Sequence, residues 1–220
     1  MKKIIMFLLL AVVFVSCSKS PEQKANKLIK EDLKKSLVKP DTYQAVETKI
    51  DSAFSPYADP EFIQLAIEFF DITIEMSKYQ EEIENAKFTM NLYTPNSYLN
   101  DEYTKDKYNK EKEKYNNANS SFEKAKKRLE KKAASIREIL NKEPKFIGFQ
   151  AHHTYRANNN AGNTLMGRAY YIFDKDMKNI LVSMPENDLF NTSDYSKLQA
   201  VIKQIENEQE YTEEIEEDEE

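Results

Sequence analysis

One cysteine, two histidines, three glycines and no tryptophan among 220 residues leave this chain without several familiar chemistries. A single thiol forms no disulfide within the chain, so stability rests on packing alone. Three glycines do not make a phosphate-cradling loop. Two histidines and one cysteine fall short of a zinc site built from nitrogen and sulfur. Basic excess is missing too. The formal charge is −6, which argues against a general nucleic-acid binder. Long apolar runs are absent save one, Ile4 to Val15, and its twelve residues fall short of the ~20 that span a bilayer comfortably.

That run is the first thing present. Lys2 and Lys3 precede it and Ser16-Cys17 follows it, the layout of an export signal over residues 1–16. A small residue before the only cysteine resembles a bacterial lipoprotein signal, with Phe14 standing where leucine is commoner. The resemblance implies lipidation of Cys17, which makes the cysteine a membrane anchor rather than a catalytic thiol. The alternative is an ordinary secretory signal with Cys17 incidental or a free thiol. Phe14-Val15-Ser16-Cys17-Ser18-Lys19-Ser20 looks like the signals of Bacteroidetes lipoproteins. The acidic run that surface-exported members carry after the cysteine is not there. The resemblance therefore implies the cell envelope, in the outer membrane facing the periplasm.

The mature chain opens with Ser20-Pro21-Glu22-Gln23, an N-cap, a proline at the first helical position and a capping-box glutamine. The helix that follows carries Ala25, Leu28, Ile29, Leu33 and Leu37 on one face and stops before Pro40. From Tyr43 to Phe54 the period falls to two, and a strand is expected. Phe146 to Asn158, Asn163 to Phe173 and Asn179 to Met184 read as three further strands, joined by polar turns into an antiparallel meander. A last amphipathic helix starts at Ser193 or Asp194, with Tyr195, Leu198, Val201, Ile202 and Ile205 inward. From Glu206 onward ten of fifteen residues are acidic and none is basic, a composition that predicts a disordered tail over 206–220.

Between the first strand and the meander the period lengthens. Phe62, Phe69, Met76, Ile83 and Met90 recur every seventh residue, with Leu65, Ile72, Tyr79, Ala86 and Tyr93 three behind each. Tyr108, Tyr115, Phe122, Leu129 and Ile136 repeat the pattern, supported by Ala118, Ala125 and Ile139, beyond a break at Thr94-Pro95-Asn96-Ser97. Two matched stripes and a short polar break predict an antiparallel coiled-coil helical hairpin inserted at 59–143. The fold class expected is therefore α+β. A sheet of about four strands, covered by helices, forms a small body from 17–58 and 144–205, and the hairpin projects from it as an arm.

Candidate sites are few. His152 and His153 are adjacent on a strand and so face opposite ways, which rules out joint chelation of one metal. His153 shares a face with Ile147, Phe149, Ala151 and Tyr155, and is expected to pack with Tyr155. His152 shares the other with Thr154 and Arg156, and with Arg168 across the turn these four form a candidate ligand-binding face for an anion or sugar. Tyr93, Tyr98, Tyr103 and Tyr108 cluster around Pro95, a tyrosine-rich end suited to a protein partner. Asp51-Ser52-Ala53 resembles the O-glycosylation sequon of Bacteroidetes envelope proteins, which marks Ser52. Two S-x-x-K tetrads, at Ser36 and Ser121, lack the companion motifs of serine enzymes. Asp174-x-Asp176 lacks the glycine and closing glutamate of a calcium loop.

Lys39-Pro40-Asp41-Thr42-Tyr43 after the leading helix, and His153-x-Tyr155-Arg156-x-Asn158 before Gly162, look like a family of small uncharacterised Bacteroidetes lipoproteins. The resemblance covers the N-terminal quarter and the meander and implies envelope location without an activity. The expectation is a lipid-anchored, non-enzymatic interaction or structural protein that works through its hairpin. It needs no cofactor, binds no nucleic acid, and meets the membrane through its anchor. The alternatives are a ligand-binding module on the sheet face and an envelope enzyme with a histidine base.

Overall fold

In the computed structural model the described residues are 20–95, 101–186 and 193–218. They form an α+β fold of four α-helices and one four-stranded antiparallel sheet. In chain order these are α1 (Pro21–Ser36), β1 (Gln44–Phe54), α2 (Pro60–Leu92), α3 (Glu102–Leu140), β2 (Phe146–Asn158), β3 (Thr164–Asp174), β4 (Ile180–Pro185) and α4 (Asp194–Asp218). A short 3₁₀ turn, Pro40–Thr42, lies between α1 and β1. None of the described helices is long and apolar enough to cross a membrane.

The chain divides into two compact units. The first holds the described residues up to Ala53 and Gly148 to Glu186, and its strands lie in the order β1-β2-β3-β4. The capping box at the start of α1 forms as the sequence predicts. Ser20 Oγ accepts from the Gln23 N–H, and the Gln23 side chain accepts from the Ser20 N–H, at 3.2 Å each. Ala25, Ile29 and Leu33 of α1 join Ala151, Ala169, Tyr171, Phe173 and Met177 in one buried cluster. Two glycines set the strand geometry. A Cβ at Gly148, whose φ is +154°, would strike the Phe173 carbonyl oxygen. Gly167 sits opposite Tyr155, whose ring lies over it where any side chain would stand.

The second unit holds Phe54 to Ile147 and the described residues from Ser193. Asp59 caps α2 by accepting from the Glu61 N–H at 2.8 Å, with Pro60 in the first turn. Asp101 caps α3 by accepting from the Thr104 N–H at 2.7 Å. α2 and α3 lie side by side in opposite directions, as their cross-contacts show. Glu68 meets Lys132, Glu75 meets Arg128 at 2.9 Å, Lys87 lies over the Tyr115 ring, and Tyr93 meets Tyr103. Charge favours the pairing, since α2 has seven acidic residues against two basic and α3 twelve basic against seven acidic. Ile72, Ala86, Ala118, Ala125, Ile136 and Ile139 are buried, all at positions of the predicted stripes.

α4 departs from the sequence expectation in two ways. It groups with the long helices rather than with the sheet, because it packs on α2 and Lys197 bridges to Asp71 at 2.8 Å. It also continues to Asp218, through the acidic stretch from Glu206 that composition assigns to a disordered tail. Glutamate has a high intrinsic helix propensity, and no glycine or proline interrupts the run.

Candidate functional site

Register settles which residues share a face. β2 and β3 pair His152 with Tyr170, Thr154 with Arg168 and Arg156 with Met166. All four candidate ligand residues therefore project from one face, and Arg156 and Arg168 are diagonal neighbours, a placement that sets Cβ atoms somewhat less than about 7–8 Å apart. Both guanidinium side chains are exposed. The face also holds an acid that local sequence reading missed. Glu186 lies just beyond β4, its N–H donating to the Arg168 carbonyl at 2.9 Å, and its Oε1 lies 2.6 Å from Nδ1 of His152. That hydrogen bond, with the carboxylate's charge, raises the His152 pKa above its ordinary value. Burial opposes it, Asp51 helps and Lys49 works against. The pair is 34 residues apart in sequence, so no local pattern announces it.

His153 belongs to a different environment, with 1% of its surface exposed. Its Nε2 lies 3.0 Å from the Tyr43 hydroxyl and its Nδ1 2.9 Å from Thr48 Oγ1, while Thr48 donates to Asn26 Oδ1 at 2.6 Å. The Thr48 proton is thus committed to Asn26, so His153 donates from Nδ1 and accepts at Nε2 from Tyr43. The chain of bonds closes around a neutral ring. Burial pushes the His153 pKa down to about 4, which agrees with that state. Its ring also stacks on Tyr155 at 5.9 Å and 12°. A ring so held, with both nitrogens engaged and little basicity at neutral pH, is poorly suited to take a proton from a substrate. Among the described residues no group of three His, Cys, Asp or Glu is placed to hold a metal ion.

On the same side of the sheet, Tyr171 is fully buried and its hydroxyl has no hydrogen-bond partner among the described residues. Burial raises its pKa, Asp32 and Tyr155 add to the rise, and Ser183 works against it. Ser52 is exposed on β1, an edge strand, and lines an open cleft of about 450 Å³ with Ser20, Glu22, Thr48 and Phe149. The Asp174 segment is a turn, its carboxylate accepting from the Lys178 N–H and the Asn179 amide at 2.7 Å each.

Of the tyrosines near Pro95, Tyr98 lies outside the described residues, as does Cys17. Tyr93 and Tyr103 meet edge to face at 6.2 Å. Tyr108 is half-buried. Tyr103 is 61% exposed with Lys107 over its ring. The sequence reading missed Phe88 and Leu92, which are 66% and 58% exposed one helical turn apart on α2. Their positions off the seven-residue stripes were the available signal.

The fold and these clusters define an α+β protein with a four-stranded antiparallel sheet and a pair of long helices. No protein-family model, curated protein or solved structure matches the chain.

Proposed function

We propose that this is a lipid-anchored protein of the bacterial cell envelope that acts without catalysis, as an interaction module. In this reading Cys17 carries the lipid in the outer membrane facing the periplasm, and α1 covers one face of the sheet. α2 and α3 form an antiparallel coiled-coil hairpin, and its distal end, around Tyr93, Tyr98, Tyr103 and Tyr108, meets a protein partner. The observation that carries the reading is the exposure of Phe88, Leu92 and Tyr103 near the ends of two charge-matched helices. Aromatic and large aliphatic side chains held in water near one end of a rigid element are the usual core of a docking patch. No cofactor and no nucleic acid enter this reading.

The test is a triple variant, Phe88→Ser, Leu92→Ser and Tyr103→Ser, compared with the natural chain in crosslinked membranes. The fold is expected to survive, since all three side chains are exposed, and a partner crosslinked to the natural chain is expected to disappear. Retention of that partner at full yield, with the circular dichroism unchanged, would overturn the proposal.

A second reading makes the sheet face a binding site for a small anion. It is supported by the register that puts Thr154, Arg156 and Arg168 together with His152. The Glu186 carboxylate works against it, because it sets an acid 2.6 Å from His152 on that face. A sulfate and phosphate titration followed by thermal shift distinguishes the readings. A dose-dependent rise in Tm that is lost in Arg156→Gln/Arg168→Gln favours the sheet face.

A further inference from the structure

α1 sends Ala25, Ile29 and Leu33 into the core. At 100° per residue, the opposite hemisphere of the same helix carries Lys24, Lys27, Lys30, Lys34 and Lys35, all exposed. Glu31 is the one acid among them, bridged to Lys27 at 3.8 Å. Lys24, Lys30, Lys34 and Lys35 have no ion-pair partner among the described residues. Asp32 stands to the flank and accepts from Ser183 Oγ at 3.0 Å. The chain as a whole carries −6, so five lysines around one carboxylate run against its general balance.

The place of this helix in the chain supplies the occupant. Four residue steps separate Cys17 from Pro21, a reach of at most about 14 Å. Only Ser16 separates that cysteine from the apolar run Ile4 to Val15. A basic helix face tied so closely to an apolar or acylated segment has one anionic surface always within reach, the phosphates of the bilayer. We propose that the lysine face of α1 lies against an anionic lipid surface and sets how the sheet unit is held there. The inference rests on the anchoring reading above, although its chemistry is separate. Each lysine brought within a Debye length of an anionic surface favours the bound state about fivefold at low salt. Electrostatic contact of this kind is the common second signal beside a hydrophobic anchor.

The experiment uses the full chain purified from membranes and reconstituted into vesicles. One set is phosphatidylcholine alone and the other contains about one-third phosphatidylglycerol. An amine-acylating reagent followed by peptide mass spectrometry reads each lysine. Acylation of Lys24, Lys27, Lys30, Lys34 and Lys35 is expected to slow about threefold or more in the anionic vesicles, and to recover near 1 M salt, where screening is complete within about 3 Å. Lys124, Lys126 and Lys127 of α3 are exposed controls, expected to label equally in both sets. In the variant Lys24→Glu/Lys27→Glu/Lys30→Glu/Lys34→Glu, protection of the remaining Lys35 is expected to vanish. Its fold is checked by circular dichroism, since every substituted side chain faces water.

Equal labelling of α1 in the two vesicle sets overturns the proposal. So does protection seen in cell membranes but in neither vesicle, which would make the occupant an acidic protein. The mass of the peptide containing Cys17, read in the same run, separates this inference from the one it rests on. An acylated Cys17 with α1 unprotected removes the lipid-facing helix and leaves the anchor. An unmodified Cys17 with α1 protected does the reverse.

Discussion

In the unit built on the sheet, both histidines are engaged by other side chains. His153 has both nitrogens bonded, and His152 is held by Glu186. In the unit built on the long helices, ion pairs such as Glu75–Arg128 join the two helices, while Phe88 and Leu92 stand in water. The difference teaches where to look for work. A polar group that is buried and satisfied contributes to a unique fold and offers little to a ligand, whereas an apolar group left exposed carries a solvation cost that a partner relieves. Reading histidines as sites and apolar residues as core would have inverted the two regions.

The comparison breaks most readily at His153. Replacing it with alanine leaves the Tyr43 and Thr48 hydroxyls without their partner and opens a cavity beside Tyr155. A loss of about 3 kcal/mol is expected in urea unfolding. A loss below about 1 kcal/mol would mean the network is incidental to the fold.

Titration gives the next largest effect. The folded pKa of His153 is depressed to about 4, so the unfolded chain binds a proton that the folded chain refuses. Stability is therefore expected to fall as pH drops from about 6.5 toward 4, by roughly 3 kcal/mol from this group. His152 has the opposite sign, because its folded pKa is raised. Its contribution is complete below the unfolded value near 6.5 and fades as pH rises through the folded one. As a half-exposed pair it is worth less than about 1 kcal/mol. Separate chemical-shift titrations of the two imidazoles check both signs, and parallel curves would erase the distinction between the faces.

In the helix unit, Ala86 and Ala118 are buried where α2 and α3 approach. Ala118→Leu is expected to cost about 1–3 kcal/mol by overpacking, measured as a lower urea midpoint at unchanged slope. An unchanged midpoint would mean the helices are loosely joined. The smallest effect is expected at Tyr171. Removing its unpartnered hydroxyl in Tyr171→Phe should leave stability unchanged or raise it by up to about 1 kcal/mol. A clear loss would reveal a bond through water or to Asp32.

Much of the fold was legible because its signals are local. Alternation placed β2 at Phe146–Asn158 to the residue, and Ser20 announced the start of α1. His153 was expected to pack with Tyr155, and the stacked rings agree. What stayed hidden depends on distant partners. Thr48 and Tyr43 reach His153 across more than a hundred residues, and Glu186 finds His152 through the sheet's register. The helical extension of α4 was missed because charge composition outweighed the propensity of glutamate.

The most direct test of the central claim places a photo-activatable amino acid at position 88 and, in a second strain, at position 156, both on exposed surfaces. After irradiation of intact cells, a discrete protein adduct is expected from position 88 and none from position 156. An adduct from position 156 alone would move the working surface to the sheet and contradict the account.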